Sequence, residues 1–223
     1  MDLNAYLNGI FPELILKPSL YKQWAIGIHF EFSKGMDQFK DDGKLNLNKF
    51  EHTYHQASSI FNDLFQENDE IFLVTNVYHH KACKHWKHRI KVYDRYIKRK
   101  EVKYRVKLET FPYIFDDEEE LDQYDTSRFL LKCCKLDMKY SLIIQAACNE
   151  DFPNLKPRLG RKCCSYYPDV FFVNTTKNVI FFIYDDRGCE VIATDKEVIR
   201  PLFEKYNDWI AIYDCEEIVE NFK

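Results

Sequence analysis

Val179-Ile-Phe-Phe-Ile-Tyr-Asp-Asp-Arg-Gly-Cys-Glu-Val-Ile-Ala193 is two apolar runs around a polar break, Asp185 to Gly188. Short β-rich runs separated by turn formers read as a β-hairpin. An Asp at the front of the break can accept from its own backbone, and Gly188 tolerates the positive φ that closes such loops. Upstream, Asp169-Val-Phe-Phe-Val-Asn174 is a third apolar run. A three-stranded antiparallel meander at the centre of a core is expected.

Working outward, Ile26, Ile28, Phe30 and Phe32 alternate with Gly27, His29 and Glu31, the period of a strand. Asn48, with Glu51 three residues on, opens a helix whose stripe is Phe50, Tyr54, Ala57, Phe61, Leu64 and Phe65. Residues 70–77 read as a strand, so strand, helix and strand predict a parallel crossover. Residues 81–99 read as an amphipathic helix with Trp86, Ile90, Tyr93 and Ile97 inward, and 101–108 as a strand. Residues 128–135 read as a strand, and a helix follows Asp137. Thr194 with Glu197 opens a helix that Pro201 interrupts, and Asp214 opens the last one. The predicted fold is α+β: one mixed sheet containing the C-terminal meander, with helices packed on it. A single domain over residues 1–223 is expected, with a weak boundary near 110–125.

The hydrophobic share of 46% and 223 residues suffice for a core. Net charge is −4, yet residues 79–107 carry twelve Lys and Arg against two acids. Seven carboxylates crowd residues 116–125. No apolar stretch reaches the length of a signal peptide or a membrane span. A cytoplasmic protein is therefore expected, with no membrane partner and its eight Cys as thiols.

Six Gly leave no phosphate-cradling motif, and no G-x-S-x-G elbow is present. No cofactor is expected. The basic face, Lys84, Lys87, Lys91, Arg95, Lys98, Lys103, Arg105 and Lys107, suits an acidic partner, a solvated surface or phosphates. Tyr78, Trp86, Tyr93, Tyr96 and Tyr104 are the rings available for base stacking. His79, His80, Cys83, His85 and His88 are weak metal candidates, because helical spacing scatters them. Cys133-Cys134, Cys148 and Cys163-Cys164 lack zinc-ribbon spacing and read as small buried hydrophobes. His29 and Glu31 share a strand face and suit a base with its orienter, or simply a polar face. Asp185, Asp186, Arg187 and Gly188 read either as a self-satisfied turn or, joined by Asp151, as a cation or substrate site.

Residues 181–193 resemble an uncharacterised family of bacterial proteins, common in Bacillus and relatives, described as a domain of unknown function. The likeness continues through Arg200-Pro-Leu-Phe-Glu-Lys-Tyr-Asn-Asp-Trp-Ile210 and reaches back to Gln145–Pro153, roughly the last third of the chain. The resemblance implies a signature at Asp186 and Gly188, and no activity. The expected function is a non-enzymatic protein-binding module, with an immunity or antitoxin-like role as its finer form. Nucleic-acid binding through residues 81–107 and a carboxylate-dependent hydrolase are the alternatives. Oligomeric state is open.

Overall fold

The computed structural model describes residues 2–83, 90–160 and 167–222. Among the described residues seven strands form one sheet: β1 (Gly27–Glu31), β2 (Ile71–His80), β3 (Lys107–Pro112), β4 (Tyr124–Cys133), β5 (Asp169–Asn174), β6 (Val179–Asp185) and β7 (Gly188–Ala193). Their order is β1-β7-β6-β5-β2-β4-β3. The fold is α+β, and the expected meander β5-β6-β7 lies inside the sheet. Neighbouring strands pair antiparallel throughout. The predicted crossover survives only as a direction. β1 and β2 point the same way, but the three strands of the meander lie between them.

The meander strands are apolar on both faces because both faces are covered. Phe172, Phe181 and Val191 face one core; Phe171, Phe182 and Ile192 face the other. This is why the runs read as continuous rather than alternating. The first face carries α3 (Leu47–Leu64), α6 (Tyr140–Cys148) and α7 (Lys196–Lys205). Phe61 of α3 sits at its centre, 4.9 Å between ring centroids from Phe172 and 4.9 Å from Tyr140. The second face carries α1 (Leu3–Ile10) and α2 (Leu20–Gln23), which bury Leu3, Leu7 and Leu20.

Residues 81–108 depart from expectation. β2 runs on to His80, and only Val92–Tyr96 (α4) and Lys100–Lys103 (α5) are helical among the described residues of this stretch. Tyr93 and Ile97 are buried as the periodicity requires. Ile97, however, leaves the helix to bridge to Met138. The predicted strand 101–108 begins only at Lys107, because its first residues wind into α5. Tyr104, which strand alternation over 101–108 would set on the inward side with Val102 and Val106, is 76% exposed. The last helix, α8 (Cys215–Phe222), starts one residue after Asp214. Among the described residues no helix is long and apolar enough to cross a membrane.

Candidate functional site

The Asp185–Gly188 turn is built inward. Asp185 pairs with Gly188, so Asp186 and Arg187 alone form the turn. Asp185 Oδ1 accepts from Arg187 N at 2.7 Å, and its Oδ2 accepts from Arg187 Nε at 2.8 Å. Asp186 is buried and ion-paired with buried Lys49 of α3. The Asp186 carbonyl also accepts from Lys49 Nζ at 3.3 Å. Gly188 is needed for space rather than for positive φ. A Cβ there would collide with the Phe30 carbonyl oxygen and the Tyr184 hydroxyl. The Phe32 amide donates to the Arg187 carbonyl at 2.6 Å, tying the turn to the β1 side. These bonds match the self-satisfied reading of the turn.

A polar cluster flanks the turn where β6 carries an irregularity between Ile183 and Asp185, which re-aims Tyr184. His29 Nδ1 lies 2.6 Å from Asp214 Oδ2, and its Nε2 lies 2.9 Å from the Tyr184 hydroxyl. A carboxylate only accepts, so Nδ1 donates to Asp214, and Nε2 shares a hydrogen bond with the Tyr184 hydroxyl. The Tyr21 hydroxyl donates to Asp214 Oδ1 at 2.9 Å, and its ring stacks on His29. The orienter of His29 is therefore Asp214, not Glu31. Opposite His29 on β7, Glu190 is buried and accepts from the Leu20 amide at 2.6 Å. Burial pushes its carboxyl up to about 7, against the opposing pull of the Leu20 and Ser19 amides. Burial also pushes the Tyr184 hydroxyl up. A cavity of about 410 Å³ opens here, with Lys22 and Arg187 at its lining. Chemically the cluster can hold one proton between Tyr184 and His29. No sequence signal links His29 to Asp214 across the length of the chain.

The other end of the sheet is built differently. β3 pairs with β4, and no described residue pairs with its outer side. Its residues are exposed or half-exposed along its length. Arg128 of β4 lies over the Phe111 ring at 5.0 Å and donates to Asn76 Oδ1 at 3.1 Å, so β3 is held from within the sheet. An apolar cleft flanks β3 on each face. One, of about 560 Å³, is lined by Tyr93, Tyr104, Val106, Leu108 and Phe129, with Lys100 and Lys103. The other, of about 350 Å³, is lined by Leu7, Leu14, Ile15, Phe111 and Pro112. Leu108 and Ile15 are 41% and 43% exposed. Exposed Arg105 and Lys107 mark one end of the strand, and exposed Asp116, Asp117, Glu118 and Glu119 follow the other.

The remaining candidates scatter. Lys91, Arg95 and Lys98 are exposed on and around α4, and Arg95 donates to the Arg158 carbonyl at 3.2 Å. Lys103 is half-buried and donates to the Asp94 carbonyl at 2.7 Å. The described basic residues therefore sit on several short elements and loops instead of on one helix face and one strand face. Lys84, Lys87, His85 and His88, with Trp86, Cys163 and Cys164, lie outside the described residues. His79 and His80 are successive strand residues: His79 is buried with Nε2 2.9 Å from Ser127 Oγ, and His80 packs on Tyr124. Cys83 is half-buried just beyond β2. Cys133, Cys148 and Cys189 are buried, and burial pushes the Cys133 thiol up to about 12. Asp151 lines a cleft of about 570 Å³ with Arg95, Lys156 and Arg158. The lining of that cleft does not include Asp185 or Asp186, while the Asp151 charge reaches Arg187, the partner of Asp185.

No solved structure matches this chain. An uncharacterised protein, YnaE of Bacillus subtilis strain 168, is 46% identical over 215 residues, covering 96% of this chain and all of that protein. A family model described as a domain of unknown function, DUF3885, matches residues 3–214. The likeness takes in the N-terminal half, where the sequence alone pointed only to the last third. With nearly its whole length matched, this chain belongs to the DUF3885 family.

Proposed function

We propose that this protein is a non-enzymatic protein-binding module of the cytoplasm that takes an extended segment of a partner onto the outer edge of β3. The observation that carries the reading is the open edge with an apolar cleft on each face. An added strand sends alternate side chains to opposite faces, so both clefts are used, while main-chain bonds supply affinity. The finer form is an immunity or antitoxin-like role, in which the captured segment belongs to a toxic protein. The test compares tagged wild-type protein with the Leu108→Lys and Tyr104→Ala variants, purified from the native host at low salt. Both replaced side chains are exposed, so folding is expected to hold. A stoichiometric protein partner held by the wild type and lost from both variants supports the reading. Equal recovery from all three sinks it.

One observation favours nucleic acid as a second reading: Tyr104, 76% exposed, stands among Lys100, Lys103 and Arg105 as a ring beside cations. Nucleic acid would co-purify with a high ratio of absorbance at 260 to 280 nm that collapses with salt. Reversal of Lys91 and Arg95 would lower it further. The hydrolase alternative needs Asp151, Asp185 and Asp186 free in one cleft, whereas Asp185 and Asp186 are engaged by Arg187 and Lys49.

A further inference from the structure

We infer that the strand seated on β3 in the free protein is β3 of a second copy of this chain, joined antiparallel about a two-fold axis. The inference rests on the strand-addition reading above and names the partner for that same edge. The reason is the charge at the two ends of the strand. Lys103, Arg105 and Lys107 gather at its start, and Asp116, Asp117 and Glu118 follow its end. An antiparallel copy reverses the order, so the basic end of each chain stands beside the acidic end of the other. A two-fold contact is self-complementary only if one patch carries both halves of each pair, and this patch does. A parallel copy would set Lys against Lys and Asp against Asp, which opposes that arrangement.

The apolar content agrees. Leu108 is partly exposed on one face of the strand, with Phe111 on the other. A two-fold axis normal to the sheet keeps the faces of the two copies aligned. Each copy then covers the same two clefts on its neighbour, and the two sheets join into one. Pro112 has no amide hydrogen to give, so it limits the paired length at the far end.

Sedimentation velocity on the purified full chain across a concentration series tests this. The wild type is expected to be a dimer that dissociates on dilution. The Lys103→Glu/Arg105→Glu/Lys107→Glu variant and the Asp116→Lys/Asp117→Lys/Glu118→Lys variant are each expected to weaken self-association by about tenfold or more. An equimolar mixture of the two is expected to recover association as a heterodimer. That recovery also shows that both variants are folded. A wild type that stays monomeric at every concentration overturns the inference, and so does a dimer that ignores both reversals. If the wild type is monomeric yet Leu108→Lys still abolishes capture of another protein, self-pairing falls and strand addition stands. If Leu108→Lys changes neither self-association nor capture, both fall.

Discussion

The two edges of this sheet are treated in opposite ways. At the β1 edge, Ile210 bridges to Phe30 and the Ala211 amide donates to the His29 carbonyl at 2.9 Å. Asp214 is then clasped by His29 and Tyr21, and the neighbouring turn is locked by Lys49 and Gly188. At the β3 edge the described residues leave the outer side of the strand uncovered, between two apolar clefts. A row of open main-chain groups is a liability for a soluble chain, and proteins cover it or put it to use. The contrast says where stability is concentrated and where recognition is expected. Damage at the first edge is expected to unfold the protein; damage at the second is expected to leave it folded and to abolish the proposed association.

That contrast orders the predictions. Lys49→Ala strands the buried Asp186 carboxylate and is expected to cost about 3–5 kcal/mol in chemical unfolding. Lys49→Met with Asp186→Leu recovers much of that loss, since well-packed apolar replacements of a buried pair are often neutral. A double variant as unstable as Lys49→Ala would argue against the lock. Gly188→Ala forces a methyl group against the Phe30 carbonyl and is expected to cost about 3 kcal/mol, visible as a lowered Tm.

Glu190 supplies a smaller, pH-dependent effect. Its carboxyl titrates near 7 in the folded chain and near 4.5 when unfolded. The folded state therefore binds its proton more tightly, so this stability is fully present below about pH 4.5 and is lost as pH rises through about 7. Unfolding curves across that window should show stability falling with pH from this group, by at most about 3 kcal/mol. Glu190→Gln should flatten that slope, and an unchanged slope would place its origin elsewhere. The smallest expected effect on stability is at the other edge. Tyr104→Ala and Leu108→Lys should each change unfolding free energy by less than about 1 kcal/mol while abolishing association. Large losses of stability there would erase the distinction between the edges.

The meander was legible because its runs are short, β-rich and punctuated by turn residues. The helix after β1 was legible because Phe50, Ala57, Phe61 and Leu64 repeat at helical spacing. The stretch after β2 was misread for a physical reason. Tyr93 and Ile97 do point inward four residues apart, but one pair of buried contacts does not require a long helix. Tyr93 instead fixes the chain through its hydroxyl, which donates to the Phe129 carbonyl at 2.9 Å. The cluster at His29 could not be seen, because Tyr21, Tyr184 and Asp214 reach it from three separate segments. The role of Gly188 was half-seen. A turn was expected to need its φ, whereas the close approach of β1 needs its missing side chain.

The strand order has a consequence in time. β1 is made early and pairs with β7, the last of the described strands to be made, with Gly27 opposite Ile192. A chain leaving the ribosome cannot seat its first strand until the meander has emerged, while β2, β4 and β3 already have one another. Contacts this distant in sequence make folding slow and leave intermediates exposed. Pulsed hydrogen exchange during refolding should find β2 and β4 protected first and β1 last. Between those moments the clasp at Asp214 has nothing to close on, so the expected final step of folding is the fastening of β1 and the Asp214 segment to a sheet already formed.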